Sequence, residues 1–572
     1  MQRFNQGKLQ QVCGYLWLLF LAFVLVLSTQ NAYRQALGTE EFAYACDSFG
    51  YLVMAKEIRE AASKSELPDF RLESKQTRLI IDYMKSQNVP VPLWDELVAP
   101  HAHHYFPRSN HVGVQYPPGT GLALALFPEG KAIYNLNRLV VWTFFLTGLL
   151  ALIMAGIKRA WASAGLIVLA LHLGLEILVR VGGMSFSIAA VLVPILLTCL
   201  LSLAALRLRI KQPRLAWFVA LLAGLCLGYA MMVRLPVFLL APGFLILLWP
   251  RSWRESIKGL PGAFCLALIV CGVIPVLLNQ QHVAGAWYLP TYADVDAAVP
   301  TFKTVQKNFP YFFGDGYGSK ENWALLYAVA GFMGFVTVVY LRRYEGSNSL
   351  GLSWKRLAWA GLAIWTASTL FFITHEITAP YYTAPGTFGA IALLAFGALA
   401  IESVSKPSEE RAAGFHGRRL TIWLAVLLVI LPGIGTLKRA WTNRITTPAP
   451  TEAVAHKPIT LPPELADERA WVYADLLTGS LWYYARKPAF KIQFSNGETR
   501  TRLFRFVFER QEPQYIIQDS EAIKQYMDEI VKLGGALEKR GLVDGQPYFH
   551  IRWPESGPGN HHILDNPSGM YR

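Results

Sequence analysis

The stretch DSFGY, Asp47 to Tyr51, places a carboxylate about 17 residues beyond the end of the first long apolar run. A carboxylate near an apolar boundary has a tunable proton affinity and suits general-base work on a hydroxyl. A carboxylate at a helix start is also stabilised by free backbone N–H groups, so an N-cap is the plain structural alternative. Further on, HAHHYFPRSNHVGVQYPPGTG, from His101 to Gly121, crowds four histidines, Tyr105, Arg108 and Tyr116 ahead of a rigid turn. Pro117 and Pro118 fix the backbone there, and Gly119 and Gly121 permit close approach, which suits a fold-back into the next apolar run. Neighbouring histidines on a strand point to opposite faces, so His103 and His104 make a poor chelating pair. No cofactor is indicated, and no ligand motif supports a divalent metal.

Three arginines sit in or beside apolar runs, where a charge is costly enough to suggest function. They are Arg138, Arg180 and Arg234. His172, Glu176 and Arg180 recur at four-residue spacing and share a helix face, so a structural Glu176–Arg180 ion pair is the alternative there. Arg234 has no acid within one turn and is followed by Pro236, so no local ion pair accounts for it and it is the strongest of the three as a functional cation. Two further segments carry polar aromatics: HEITAPYYTAPG at 375–386, and 282–322 with Trp287, Tyr288, Tyr292, Asp294, Asp296, Tyr311 and Tyr317. The second combines ring faces with carboxylates as sugar-binding surfaces do, though the rings also suit an interfacial belt.

These groups must be held by a membrane scaffold. The 572 residues are 53% apolar with 17 Trp and a positive mean hydropathy, too greasy for a soluble pair of domains. The net charge of +14 falls in short clusters between apolar runs, a topology pattern and not a nucleic-acid stripe. Spans are expected near 13–30, 133–157, 160–179, 184–206, 215–233, 260–280, 323–341, 357–374, 383–401 and 420–437. The shorter run 236–249 completes a count of about eleven.

With the N-terminus in the cytoplasm, every basic cluster lies inside: Lys158–Arg159, 207–214, 251–258, Arg342–Arg343 with Lys355–Arg356, and Lys406 to Arg419. The opposite connections are slightly acidic, with 10 Lys+Arg against 12 Asp+Glu in 31–132. An odd span count puts the C-terminal part outside. The first run lacks a small-x-small cleavage site and is expected to be a retained anchor. Of six cysteines only Cys46 is clearly in an external segment, so disulfides are not expected to support the fold.

The expected organisation is a membrane domain over 1–438, a Thr/Pro/Ala-rich linker over 439–462, and an extracytoplasmic α/β domain over 463–572. Alternating β-like and helical patterns from WVYAD to EAIKQYMDEIVKL suggest a three-layer domain with a parallel sheet. No GxGxxG or GxxxxGK[ST] occurs in it, so docking or acceptor holding is its expected use. The long external loop 31–132 should contain its own helices, one over 51–62 with Leu52, Ala55 and Ile58 on one side, lying at the interface.

An Asp in the first external loop, an amphipathic helix after it, a YPPG segment before the second span and about eleven spans together resemble the GT-C membrane glycosyltransferases. More narrowly, the chain is similar to the bacterial branch related to protein O-mannosyltransferases and the lipid A aminoarabinose transferase. The resemblance covers the membrane domain as architecture and about 41–130 as motif. It implies a glycosyltransferase, hexosyl or pentosyl, that uses a polyprenyl-phosphate-linked sugar and inverts the anomeric centre. The transfer would occur on the external face of the cytoplasmic (inner) membrane, to a lipid, polysaccharide or protein of the envelope.

By that resemblance Asp47 is the catalytic base, and Arg234, Arg180 and Arg138 are donor-phosphate ligands. Tyr51, His104, Arg108, Tyr116, His375 and Tyr382 become substrate-binding candidates. Many relatives have Asp-Glu where this chain has Asp47-Ser48, so a role for a second acid does not carry over. Relatives often have Arg-Tyr where Tyr381-Tyr382 stands, and His375 could supply the missing charge if protonated. Two other classes also accommodate many spans: a secondary transporter, although no internal repeat is evident, and a non-enzymatic envelope scaffold.

Overall fold

The computed structural model describes residues 2–44, 46–183, 185–249, 259–291, 301–313, 323–341, 352–375, 382–403 and 458–559. The chain divides into two compact units. One comprises Met1–Thr39, Ile133–Pro275 and Ala298–Val454, and the other Glu40–Ala132, Val276–Ala297 and Ala455–Arg572. The long loop 40–132 and the C-terminal region thus belong to one unit.

Among the described residues, eight helices are long and apolar enough to cross a membrane: Gln11–Ala36, Ala132–Lys158, Trp161–Val181, Ser187–Leu208, Pro213–Val233, Leu260–Ala284, Trp354–Thr374 and Ala384–Glu402. The chain is a polytopic α-helical membrane protein. Two shorter apolar helices, Leu235–Leu248 and Leu325–Val339, occupy two more of the expected windows. The expected span 420–437 and the linker over 439–457 lie outside the described residues. The segment after Arg234 begins as a 3-10 turn, Leu235–Leu240, and becomes α-helical only at Ala241–Leu248. Pro236 and Pro242 each stand at a helix start, where a missing N–H costs nothing.

Burial separates two kinds of helix in the first unit. Trp161–Val181 and Ala384–Glu402 form its middle, whereas Leu139, Trp142, Leu146, Leu150, Ile153 and Ile157 leave an apolar stripe exposed along Ala132–Lys158. Such a stripe is what lipid requires. Helix contacts at the centre depend on small residues. A Cβ on Gly224 would lie 2.2 Å from the Phe264 carbonyl oxygen, and one on Gly228 would lie 2.9 Å from the Gly272 nitrogen. The helix facing these glycines widens to a π-turn at Ile269–Val273, just before Pro275, which has no N–H to return to the preceding turn.

The second unit holds two sheets. Strands β1 (Arg71–Leu72), β2 (His103–Phe106) and β3 (His111–Val114) form an antiparallel sheet in the order β1-β3-β2. The helices Asp47–Lys64 and Lys75–Ser86 belong to the same loop. The first of these starts earlier than its amphipathic pattern suggests. Phe49 to Ala55 are all buried, so its first half is core and does not lie on an interface with one face exposed.

The C-terminal sheet corrects the expectation of parallel strands. Strands β4 (Trp471–Tyr473), β5 (Gln514–Ile517), β6 (Ala536–Val543) and β7 (Gln546–Arg552) run in the order β4-β5-β7-β6. Only β4 and β5 are parallel; β7 is antiparallel to both β5 and β6. The cause is a hairpin after the last helix. Asp544 and Gly545 both have positive φ, 48° and 77°, as the tight turn matching the strand twist requires. Helices Gly497–Glu509 and Glu521–Lys532 start where Asn496 and Ser520 cap them, as their sequences dictate.

Gly224→Leu should destabilise the first unit by about 1–3 kcal/mol, because the obstacle is backbone and cannot rotate away. A thermal melt of the detergent-purified protein would read this, and an unchanged midpoint would show that the contact is dispensable.

Candidate functional site

Asp47 is the first residue of its helix, and Cys46 before it is the N-cap without a side-chain capping bond. The carboxylate is therefore not the cap. It keeps the favourable first-turn position and spends its oxygen elsewhere. Tyr116 Oη donates to Asp47 Oδ1 at 2.6 Å, a charge-assisted length. The Tyr116 ring stacks obliquely on Tyr51 at 4.6 Å. Gly50 makes room for it, since a Cβ there would lie 2.8 Å from that ring and 2.7 Å from Ala102 Cβ. Gly121 likewise lets helix Gly119–Ala125 close on Met54, where a Cβ would come within 2.6 Å. The YPPG segment is thus the mount of the aspartate's partner.

A chain of donors ends on that carboxylate. Cys46 Sγ lies 2.9 Å from Tyr116 Oη, Gln115 Nε2 donates to Cys46 Sγ at 3.4 Å, and His104 Nε2 lies 2.5 Å from Gln115 Oε1. Because an ionised carboxylate only accepts, the phenol proton points to Asp47, the thiol proton to the phenol, and the imidazole N–H to the amide. Such aligned bonds polarise one another. Burial, with the Asp47 charge adding to it, pushes the Cys46 thiol up to about 11, so it stays protonated. Lys491, buried and pushed down by that burial, is close enough for its charge to act on Cys46.

The other residues of the His101–Gly121 stretch disperse. His103 is 1% exposed against Phe49 and donates Nδ1–H to the His101 carbonyl at 3.1 Å. His101 pairs with Asp475 at 2.9 Å, and His111 pairs with Glu73. Arg108 hydrogen-bonds Tyr288, with its guanidinium 5.5 Å from that ring. Among the described residues no three His, Cys, Asp or Glu side chains gather as a metal site. Tyr51 and Tyr116 are 3% and 4% exposed. Each ring is the other's packing surface, so both lie in the core beside the Asp47 helix.

In the first unit, Arg234, Tyr382 and His375 come together. Arg234 terminates helix Pro213–Val233 with extended backbone, and its Nη1 donates to Ser187 Oγ at 2.8 Å. Ser187 is the first residue of helix Ser187–Leu208 and shares a 2.8 Å hydrogen bond with Ser185. The guanidinium lies 5.6 Å from the Tyr382 ring, which stacks on Phe372 at 4.9 Å and meets His375 edge-on at 5.6 Å. Hydroxyls, a helix N-terminus and an arginine make a combination suited to phosphate oxygens.

Arg180 is committed otherwise, donating Nε to Glu176 at 2.8 Å with Glu176 only 2% exposed. This is the ion-pair alternative, and a buried carboxylate without that partner would be costly. Arg138 stands exposed on its helix. Tyr381, Tyr292, Asp294, Asp296 and Tyr317 lie outside the described residues. Sequence reasoning missed Cys46, Gln115, Ser185 and Ser187. The two serines, directly before an apolar run, are a readable helix-start signal; the thiol and the amide carry none.

No family model and no curated protein matches the chain. Among solved structures it is similar to the crystal structure of the Archaeoglobus fulgidus oligosaccharyltransferase in the apo form. The identity is 12%, the TM-score 0.44, and the match covers 95% of this chain and 75% of that one. It is also similar to the archaeal oligosaccharyltransferase AglB from Archaeoglobus fulgidus in complex with an inhibitory peptide and a dolichol-phosphate. There the identity is 13%, the TM-score 0.34, and the coverage 94% of this chain and 74% of that one.

His103 gives this unit an acid sensitivity of definite sign. Burial pushes its imidazole from 6.5 down to about 3. Below pH 6.5 the unfolded chain takes up a proton that the folded one refuses, so stability falls as pH drops through that window. The loss is up to about 1.4 kcal/mol per pH unit. The wild-type melting temperature should therefore fall more between pH 7 and pH 5 than that of His103→Phe, and equal slopes would refute the assignment.

Proposed function

We propose that this chain is a GT-C-type membrane glycosyltransferase. It moves a hexosyl or pentosyl group from a polyprenyl-phosphate donor to an envelope acceptor at the external face of the cytoplasmic membrane. The N-terminus is cytoplasmic in this reading, and the Asp47 unit and C-terminal region are external. The observation that carries it is the Asp47 carboxylate, fixed by Tyr116 at the start of a buried helix in a polytopic membrane protein. The motif resemblance around 41–130 supports the reaction class.

In the reaction, Asp47 accepts the proton of the acceptor hydroxyl while the hydroxyl oxygen bonds to the anomeric carbon. The bond from that carbon to the phosphate oxygen breaks on the opposite face, and its electron pair leaves with the lipid phosphate. The configuration inverts. Tyr116 occupies one carboxylate oxygen and leaves the other to take the proton. Arg234, with Ser187 and the N–H groups at its helix start, stabilises the charge growing on the phosphate. Tyr382 and His375 shape the cation's surroundings.

Purified protein given a labelled polyprenyl-phosphate sugar and an envelope extract as acceptor tests this. Asp47→Ala and Asp47→Asn should each lower transfer by about 10²–10⁴-fold. Normal turnover by both variants would remove Asp47 from the role of base. In the same assay, Arg234→Ala should cost about 10²-fold and Arg234→Lys should recover only part of it, since a point charge lacks the planar fork. An Arg234→Ala enzyme with unaltered kinetics would count against the phosphate site.

A further inference from the structure

A short helix of the C-terminal region, Thr478–Ala485, meets the segment carrying Asp47. Ser480 Oγ donates to the Ala43 carbonyl at 2.5 Å, and the Ala43 N–H donates to Tyr484 Oη at 3.3 Å. Tyr484 also stacks on Phe42 at 6.0 Å. Gly479 lies against Phe49, two residues beyond Asp47. Phe49 is fully buried, with His103 on its ring at 5.1 Å, and a Cβ on Gly479 would fall 2.4 Å from Phe49 Cγ. The backbone is thus gripped on both sides of Asp47, by hydrogen bonds at residue 43 and by close packing at residue 49.

We propose that the helix Thr478–Ala485 is a clamp that sets the direction of the Asp47 carboxylate, with Gly479 and Ser480 as positioning residues for the transfer reaction. This rests on Asp47 being the base. It gives the C-terminal region a task inside the catalytic centre and not only that of a docking or acceptor-holding module. Its members touch no substrate in this reading. They act by fixing the helix start, because misplacing a base by about 1 Å can cost about 10²-fold in rate.

Two orders of readout test it on the full-length protein. Gly479→Val pushes Phe49 and should lower kcat by about 10²-fold while leaving the donor KM within about twofold. The second readout is independent of activity: labelling of Cys46 by a membrane-impermeant maleimide, followed by peptide mapping. Cys46 is held by Tyr116 and Gln115 beside Asp47, and loosening the clamp should speed its labelling about tenfold or more. Adding Phe49→Ala to Gly479→Val should restore both kcat and slow labelling, which a general loss of folding would not allow. Should Gly479→Val fail to fold, Gly479→Ala and Ser480→Ala carry the same two readouts in milder form.

Wild-type kcat and labelling in Gly479→Val or the milder variants would overturn the proposal, as would a loss confined to donor KM. If Asp47→Ala turns over normally while labelling still responds to Gly479→Val, the base assignment has failed and the clamp is packing alone.

Discussion

The hydrogen bond from Tyr116 to Asp47 holds one carboxylate oxygen in place at the start of a buried helix. Much of the second unit can be understood from this bond. Gly50 clears the space for the ring, Tyr51 backs it, and Gly121 lets the YPPG helix press against the Asp47 helix. Cys46, Gln115 and His104 then line up as successive donors behind it.

The first unit solves a different electrostatic problem. A cation is expensive among apolar helices, and the chain places one at an interruption of its helices. Arg234 sits where one helix ends and a proline-started 3-10 turn begins, against the serines that open another. Broken backbone at such a place offers N–H groups as well as side chains. Arg180, within a helix, is paired with Glu176, which is buried.

Legibility in the sequence followed the range of the interactions. Apolar windows located the long helices because lipid imposes their length and composition on each segment separately. The Glu176–Arg180 pair was readable because four residues of helix bring the two side chains together. Asp47 itself could be picked out, but its partner's role could not, since Tyr116 is 69 residues away and only the folded YPPG turn delivers its hydroxyl. The packing of Tyr116 on Tyr51, both buried, was likewise out of reach of any local pattern. The mixed sheet escaped because its hairpin lies beyond the last helix, and strand direction depends on a two-residue turn. Gly479 against Phe49 leaves no trace in either local pattern.

The hydrogen bond between Ser480 and Ala43 joins residues 437 positions apart, and the long apolar helices lie between them in the chain. Residue 43 is synthesised long before Ser480, so their hydrogen bond is among the last contacts to form. During synthesis the loop carrying Asp47 and Tyr116 is complete before most of the membrane helices, while its contacts with the helix Thr478–Ala485 wait for the C-terminal region. Chain order thus becomes a timing device: the Asp47 helix can meet Tyr116 early and its second set of contacts only at the end.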